Sequence, residues 1–201
     1  MKIAVILFAF NRPKYLKRVL KTHRKIAGLE YYAFVDKSSK QKEVVDLIAS
    51  SKIYPVIIPR TFHLGLNTNI TSGIDYVFNL DFDAVIVLED DLLIRDNGLG
   101  WLVQKLDEYK NMYIGSISLY SNKKQEFQSW AWATYKKIWD KHKYIEGAGT
   151  QAQQFHKFHK VNSLICVTPE KDKVKHIGWK GEHFRFLDIF SIRGFWRKHT
   201  K

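Results

Sequence analysis

The chain has 201 residues, 45% hydrophobic and 26% charged, which excludes disorder and gives enough length for one ordinary domain with a real core. It carries 33 Lys and Arg against 20 Asp and Glu, a net charge of +13. That excess points to an anionic partner (nucleotide, nucleic acid or membrane surface) without choosing among them.

The first apolar run, Ile3 to Phe10, is too short to span a bilayer. No small-residue cleavage site follows it, and Asn11-Arg12-Pro13 ends it as a helix start would, so it reads as a buried strand. Pro13 near the first helical position predicts a helix to about Ile26. Tyr31 to Val35 reads as a second strand ending at Asp36, and Gln41 to Ala49 as a helix with Val44, Val45, Leu47 and Ile48 on its apolar side. Tyr54 to Ile58, punctuated by Pro55 and Pro59, reads as a third strand. Asn67 to Phe78 is a helix, Ala84 to Leu88 a fourth strand, Gly98 to Tyr109 a helix and Ile114 to Leu119 a strand. Strands and helices alternating at this spacing imply a mostly parallel sheet with right-handed crossovers. There is no internal repeat or low-complexity linker, so a single domain is expected.

The fourth strand carries the chemistry. Ala84-Val85-Ile86-Val87-Leu88 is an unbroken apolar run that ends in three carboxylates, Glu89-Asp90-Asp91. Such a run suits a strand buried on both faces. Three acids at its exit are too costly to bury unpaired. They stand where open α/β sheets hold ligands. They also form a hard-oxygen site suited to Mg²⁺ or Mn²⁺, with diphosphate oxygens as natural further ligands. The alternative is a solvated acidic turn. A second acidic pair, Asp81-Phe82-Asp83, precedes the strand and belongs at the opposite edge of the sheet. His156 and His159 share a helix face, with His176 and His183 beyond, but no third ligand is near in sequence, so surface or core histidine is the better reading. The single cysteine, Cys166, lies in the apolar run Leu164 to Val167 and reads as a buried inert thiol. One cysteine excludes an internal disulfide framework and fits a reducing, cytoplasmic compartment.

Together these stretches resemble the GT-A glycosyltransferases, above all N-acetylglucosaminyltransferase I and its bacterial family-2-like relatives. Ala4 to Leu7 followed by Phe10-Asn11-Arg12-Pro13 resembles that family's first strand and nucleotide loop. Phe34-Val35-Asp36 resembles its second strand, and Leu64-Gly65-Leu66-Asn67, with Asn69 in the helix that follows, resembles the segment beneath the nucleotide. Val87 to Asp91 is similar to its DxD variant, Trp130-Ala131-Trp132-Ala133-Thr134 to a tryptophan-rich motif, and His176-Ile177-Gly178-Trp179 with Gly181 and His183 to a late element.

The resemblance covers about residues 3 to 188 and implies a Rossmann-like, mostly parallel sheet flanked by helices. It implies a nucleotide-binding half over about residues 1–120 and an acceptor-side half with a basic tail over about 121–201. All six Trp lie at Trp101 or later, which fits an acceptor-facing lobe or, equally, aromatic packing under loops. The implied reaction moves a sugar from a UDP-sugar to an acceptor hydroxyl on a glycan, protein or lipid-linked molecule, with inversion. Asp91 is then the ligand of Mn²⁺ or Mg²⁺. Asp90 and Glu89 accept from ribose or sugar hydroxyls, Asp36 accepts from uracil N3–H, and Arg12 pairs with or stacks on the base. One departure stands out. The family's catalytic base aligns within 149–155, Gly-Thr-Gln-Ala-Gln-Gln-Phe, which holds no acid. Glu146, beside Gly147 and Gly149, is the chosen candidate, with Asp140, Glu182 and Asp188 behind it.

Other readings stay open: a basic nucleic-acid-binding α/β protein, or an inactive sugar-nucleotide-binding module. An acidic crevice repels a phosphate backbone unless metal is present, and no basic stripe carries a known nucleic-acid motif. The tail from Phe184 to Lys201 mixes aromatic and cationic residues, which suits either peripheral membrane contact or a packed C-terminal helix.

Overall fold

The computed structural model describes residues 1–142 and 150–178. Its elements are β1 (Ile3–Ala9), α1 (Pro13–Leu20), β2 (Glu30–Val35), α2 (Gln41–Ser51), β3 (Val56–Pro59), α3 (Gly65–Phe78), β4 (Ala84–Glu89) and β5 (Leu92–Ile94). There follow α4 (Gly98–Glu108), β6 (Ser116–Ser118), β7 (Trp132–Tyr135), α5 (Lys136–His142), α6 (Gln151–Val161), β8 (Cys166–Val167) and β9 (Val174–His176).

Seven strands form one sheet in the order β3-β2-β1-β4-β7-β6-β8. β1, β2, β3 and β4 are parallel, as the βα alternation predicts. β7 is the exception. It inserts antiparallel between β4 and β6, which places the tryptophan-rich segment in the middle of the sheet. Every residue of β1 is buried, as is β4 up to Leu88, because both strands are covered on both faces. β1 and β2 pair through Phe8 and Phe34, whose rings stack 5.6 Å apart. α3 lies close over these rings because Gly73 has no side chain; a Cβ there would come within 2.5 Å of the Phe8 ring.

Several boundaries differ from the sequence expectation. α1 stops at Leu20 rather than Ile26 because Thr22 donates both its N–H and its hydroxyl to the Val19 carbonyl, at 2.8 and 2.7 Å. β3 starts at Val56, since Tyr54 turns inward and its hydroxyl hydrogen-bonds with buried His23 Nδ1, 2.7 Å away. α3 starts at Gly65, whose φ of +74° suits the bend. β5 and β9 carry no sequence signal of their own. They form a two-stranded antiparallel ribbon in which Leu92 faces His176.

A second aromatic cluster fills the space beneath β7. Phe127, Trp132, Trp139, Phe155 and Phe158 are buried there with His142 and His159. His159 is thus a core histidine, as the sequence implied. Neither ring nitrogen of His142 or His159 has a hydrogen-bond partner among the described residues. Burial lowers His142 to about 4, against a small opposing effect of Asp75, and lowers His159 to about 3. These imidazoles stay neutral in the fold and take up protons on unfolding. The unfolded chain therefore binds more protons below pH 6.5, and stability falls as the pH falls from there toward 4. His142→Phe should remove one proton from this dependence. The slope of unfolding free energy against pH, measured by denaturant titration between pH 6.5 and 4.5, should shrink by up to about 1.4 kcal/mol per pH unit.

Candidate active site

The order β3-β2-β1-β4 reverses direction between β1 and β4, and the carboxyl ends of these two strands face one crevice. Phe10, Asn11 and Arg12 leave β1 there, and Glu89, Asp90 and Asp91 leave β4. Asp36 leaves β2 on the same edge, and Leu66 and Asn69 enter from the first turns of α3. All nine line one cavity of about 300 Å³, with His63, His176 and Gly178 also on its wall. The tenth candidate, Glu146, lies outside the described residues, as do Glu182 and Asp188.

Arg12 joins the two strand ends. Its Nη2 donates to Asp90 Oδ1 and its Nη1 to Asp91 Oδ2, both at 2.6 Å. The second oxygen of Asp90 accepts from the Phe10 backbone N–H at 3.0 Å. In this arrangement the guanidinium is taken up by carboxylates. Asp91 Oδ2 also lies 3.3 Å from His176 Nε2. Its other oxygen, Oδ1, is buried without a hydrogen-bond partner among the described residues.

Burial, with the nearby charges of Asp91 and Asp90, pushes Glu89 up to about 8. Burial likewise raises Asp90 to about 6, against the pull of Arg12. Asp91 behaves differently. Burial opposes its ionisation, but the His176 hydrogen bond and the Arg12 charge outweigh it and hold the carboxyl below its ordinary value. Of the three acids, the one with the bare oxygen is therefore the one whose ionised form this site favours.

The reach of His176 comes from the β5–β9 ribbon. Ile177 N–H donates to the Asp91 carbonyl at 2.9 Å and continues the ribbon one residue past β9. Gly178 then passes so close that a Cβ would stand 2.2 Å from Asp91 Oδ2. Trp130 stacks on the His176 ring at 5.2 Å and fixes its plane. Sequence reasoning placed His176 in the core or on the surface and missed this role. The available signals were the match of His176-Ile177-Gly178 to a late family element and the small residue after Ile177, which lets backbone approach a carboxylate.

Asp36 is occupied by backbone. Oδ1 accepts from Lys37 N and Leu64 N, and Oδ2 from Gly65 N, with His63 Nδ1 3.0 Å from Oδ2. It thus caps the start of α3 from another strand. Three backbone amides hold it, so a base could enter only beside Oδ2, where the exposed His63 yields. Asn69 Oδ1 accepts from Arg60 Nε at 2.9 Å, an arrangement that supports the cavity floor. Asp140 is excluded as a catalytic group by position. It pairs with Lys136 at 3.0 Å and shares a surface depression with Asp83 and Met1, at the amino-terminal edge of the sheet. Asp81 and Asp83 lie at that same edge, as their place before β4 required.

A divalent cation fits the residues present. Asp91 offers a hard oxygen with no partner among the described residues, His176 offers an imidazole, and the cavity leaves room for phosphate oxygens.

An open α/β sheet with one reversed central strand and an acid-lined crevice at its switch point defines the GT-A glycosyltransferase fold. The family model for glycosyl transferase family 2 matches residues 4–170, and the chain belongs to that family. No curated protein matches it in sequence. Among solved structures it is similar to the mannosyltransferase PcManGT of Pyrobaculum calidifontis in complex with GDP-Man and Mn²⁺, at 14% identity and a TM-score of 0.67, over 90% of this chain and 59% of that one. It is similar to glucosyl-3-phosphoglycerate synthase of Mycobacterium tuberculosis, in complex with Mn²⁺, UDP and glucosyl-3-phosphoglycerate, at 14% identity and 0.63, over 94% and 75%. A Leptospira borgpetersenii cytidylyltransferase shares the fold at 10% identity and 0.61, over 98% and 96%. The chain spans about six-tenths of the mannosyltransferase's length. At these identities the likeness establishes the fold, and one fold serves several chemistries.

The cap on α3 gives a stability test. Asp36→Ala leaves three backbone N–H groups without their acceptor. Chemical denaturation should show a loss of about 1–3 kcal/mol, larger than a surface Asp→Ala change.

Proposed function

We propose that this protein is a metal-dependent transferase that moves a sugar from a nucleotide-sugar, UDP-linked by preference, to an acceptor hydroxyl with inversion. The observation that carries the reading is the Asp91 carboxylate. Its pKa is held low, and it is buried at the exit of β4, bare on one oxygen among the described residues, beside His176, and in the same cavity as Phe10 and Asp36. Membership of glycosyl transferase family 2 supports it, as do relatives of the same fold bound to GDP-Man or UDP with Mn²⁺.

Asp91 and His176 would hold Mn²⁺ or Mg²⁺, which would neutralise the charge developing on the diphosphate leaving group. Asp90 and Glu89 line the cavity next to them and would accept from ribose or donor-sugar hydroxyls. Asp36 would receive uracil N3–H in place of His63. The acceptor oxygen attacks the anomeric carbon, the bond from that carbon to the diphosphate oxygen breaks, and a carboxylate takes the hydroxyl proton. We assign that carboxylate to Glu146, the acid nearest in sequence to the family's base position. The acceptor is a glycan, a protein or a lipid-linked molecule. For the last, peripheral contact of the basic tail with the inner membrane surface would bring the site to its substrate; that tail lies outside the described residues. No helix among the described residues is long and apolar enough to cross a membrane.

A thermal-shift panel of UDP, GDP, CMP, CTP and their sugars, with and without Mn²⁺, tests the donor. At a hundredfold excess over Kd the right nucleotide should add about 2.7 kcal/mol, a rise of roughly 5–10 °C that requires Mn²⁺. Asp91→Ala should abolish that rise. A nucleotide shift indifferent to both metal and Asp91 would remove the reading.

The base has its own test. Glu146→Gln should retain donor binding and lower transfer by about 100-fold or more. Undiminished transfer would move the role to another acid.

A further inference from the structure

Arg12 sits where a cation is wanted. Its two nitrogens bridge Asp90 and Asp91 at 2.6 Å, and the oxygen it takes on Asp91 is the one that faces His176. An Arg fork on two carboxylates is a strong, charge-assisted contact. It offsets the repulsion of Asp90 and Asp91, crowded at one strand end. The same contact stands in the way of a metal. A divalent ion drawn to Asp91 would meet a fixed positive charge on the neighbouring oxygen.

We infer that Arg12 is a stand-in cation that couples metal binding to donor binding. Without donor it neutralises Asp90 and Asp91 and disfavours metal. When metal and a nucleoside diphosphate arrive together, the guanidinium leaves Asp91 and pairs with the diphosphate. Its position allows this. Arg12 caps the start of α1, so its backbone is fixed by the Tyr15 and Leu16 amides, both 3.0 Å from its carbonyl. Its side chain remains a quarter exposed toward the cavity. A guanidinium matches a phosphate as well as it matches a carboxylate. The exchange therefore keeps two ionic contacts, one to Asp90 and one to the diphosphate, where a lone metal would leave Arg12 with Asp90 alone. Metal and donor then each raise the other's affinity by one common factor. This rests on the cavity being a nucleotide-sugar site.

The test measures Mn²⁺ binding by electron paramagnetic resonance of the free ion, for the wild type, Arg12→Met and Arg12→Lys, with and without UDP, and with GDP in a parallel arm. In the wild type Mn²⁺ alone should bind weakly, and nucleotide should tighten it at least about tenfold. Arg12→Met should bind Mn²⁺ alone at least about tenfold tighter than the wild type and lose most of the tightening by nucleotide. Arg12→Lys keeps the charge but cannot bridge two carboxylates, so it should fall between. Arg12→Met also leaves the acids uncompensated. Its melting temperature should fall without metal and rise more with Mn²⁺ alone than the wild type's does, which keeps the test valid in a poorly stable variant. Equal affinity of wild type and Arg12→Met for Mn²⁺ alone, or an undiminished nucleotide effect in that variant, would overturn the inference. Absence of Mn²⁺ binding to any protein even with UDP or GDP would instead overturn the proposed function.

Discussion

The crevice depends on a cluster of acids that has to be compensated at the end of a buried strand. Glu89, Asp90 and Asp91 follow β4 without a break, and the strand's burial on both faces leaves them no freedom to disperse into water. Arg12 from the exit of β1 and the Phe10 amide compensate them. Both come from the one strand that lies between β4 and β2, so the compensation spans the switch point itself. The pairing of β1 with β4 sets the register that makes it possible, with Phe8 opposite Glu89.

The rest of the site is arranged around that contact. On one side, Asp36 ties the exit of β2 to the first amides of α3, so the helix start is fixed by tertiary bonds and not by a local cap. On the other, the β5–β9 ribbon turns back onto Asp91 and sets His176 and Gly178 against its carboxylate. Trp130 reaches the same imidazole from just before β7. The antiparallel insertion of β7 thus links the aromatic second half of the chain to the acidic crevice of the first half.

The charge balance also becomes intelligible. The chain is strongly basic, yet the cavity holds acids. A basic surface favours the approach of an anion, and the proposed nucleotide-sugar and metal would together bring opposite charges to the acids at the bottom. The two features are complementary. Arg12 meets those acids with two ion pairs.

Much of this was legible in the sequence because it is local. The apolar run of β4 and the carboxylates at its end declare a buried strand and a polar exit through burial cost alone. The alternation of strands and helices declares a parallel sheet, and hence which edge the acids occupy, which is why Asp81 and Asp83 could be set aside. Pro13 marks the start of α1 through its fixed φ. What only the tertiary structure decided are partners distant in sequence. That Arg12 forks two carboxylates, that Asp36 accepts from the start of α3, and that His176 reaches Asp91 all follow from strand order and backbone register. Those are fixed by packing of the whole sheet. A short ribbon such as β5–β9 carries too few residues to leave a periodic signal, so its pairing was beyond local reading. Local patterns report burial and periodicity; they do not report which distant side chain completes a charge.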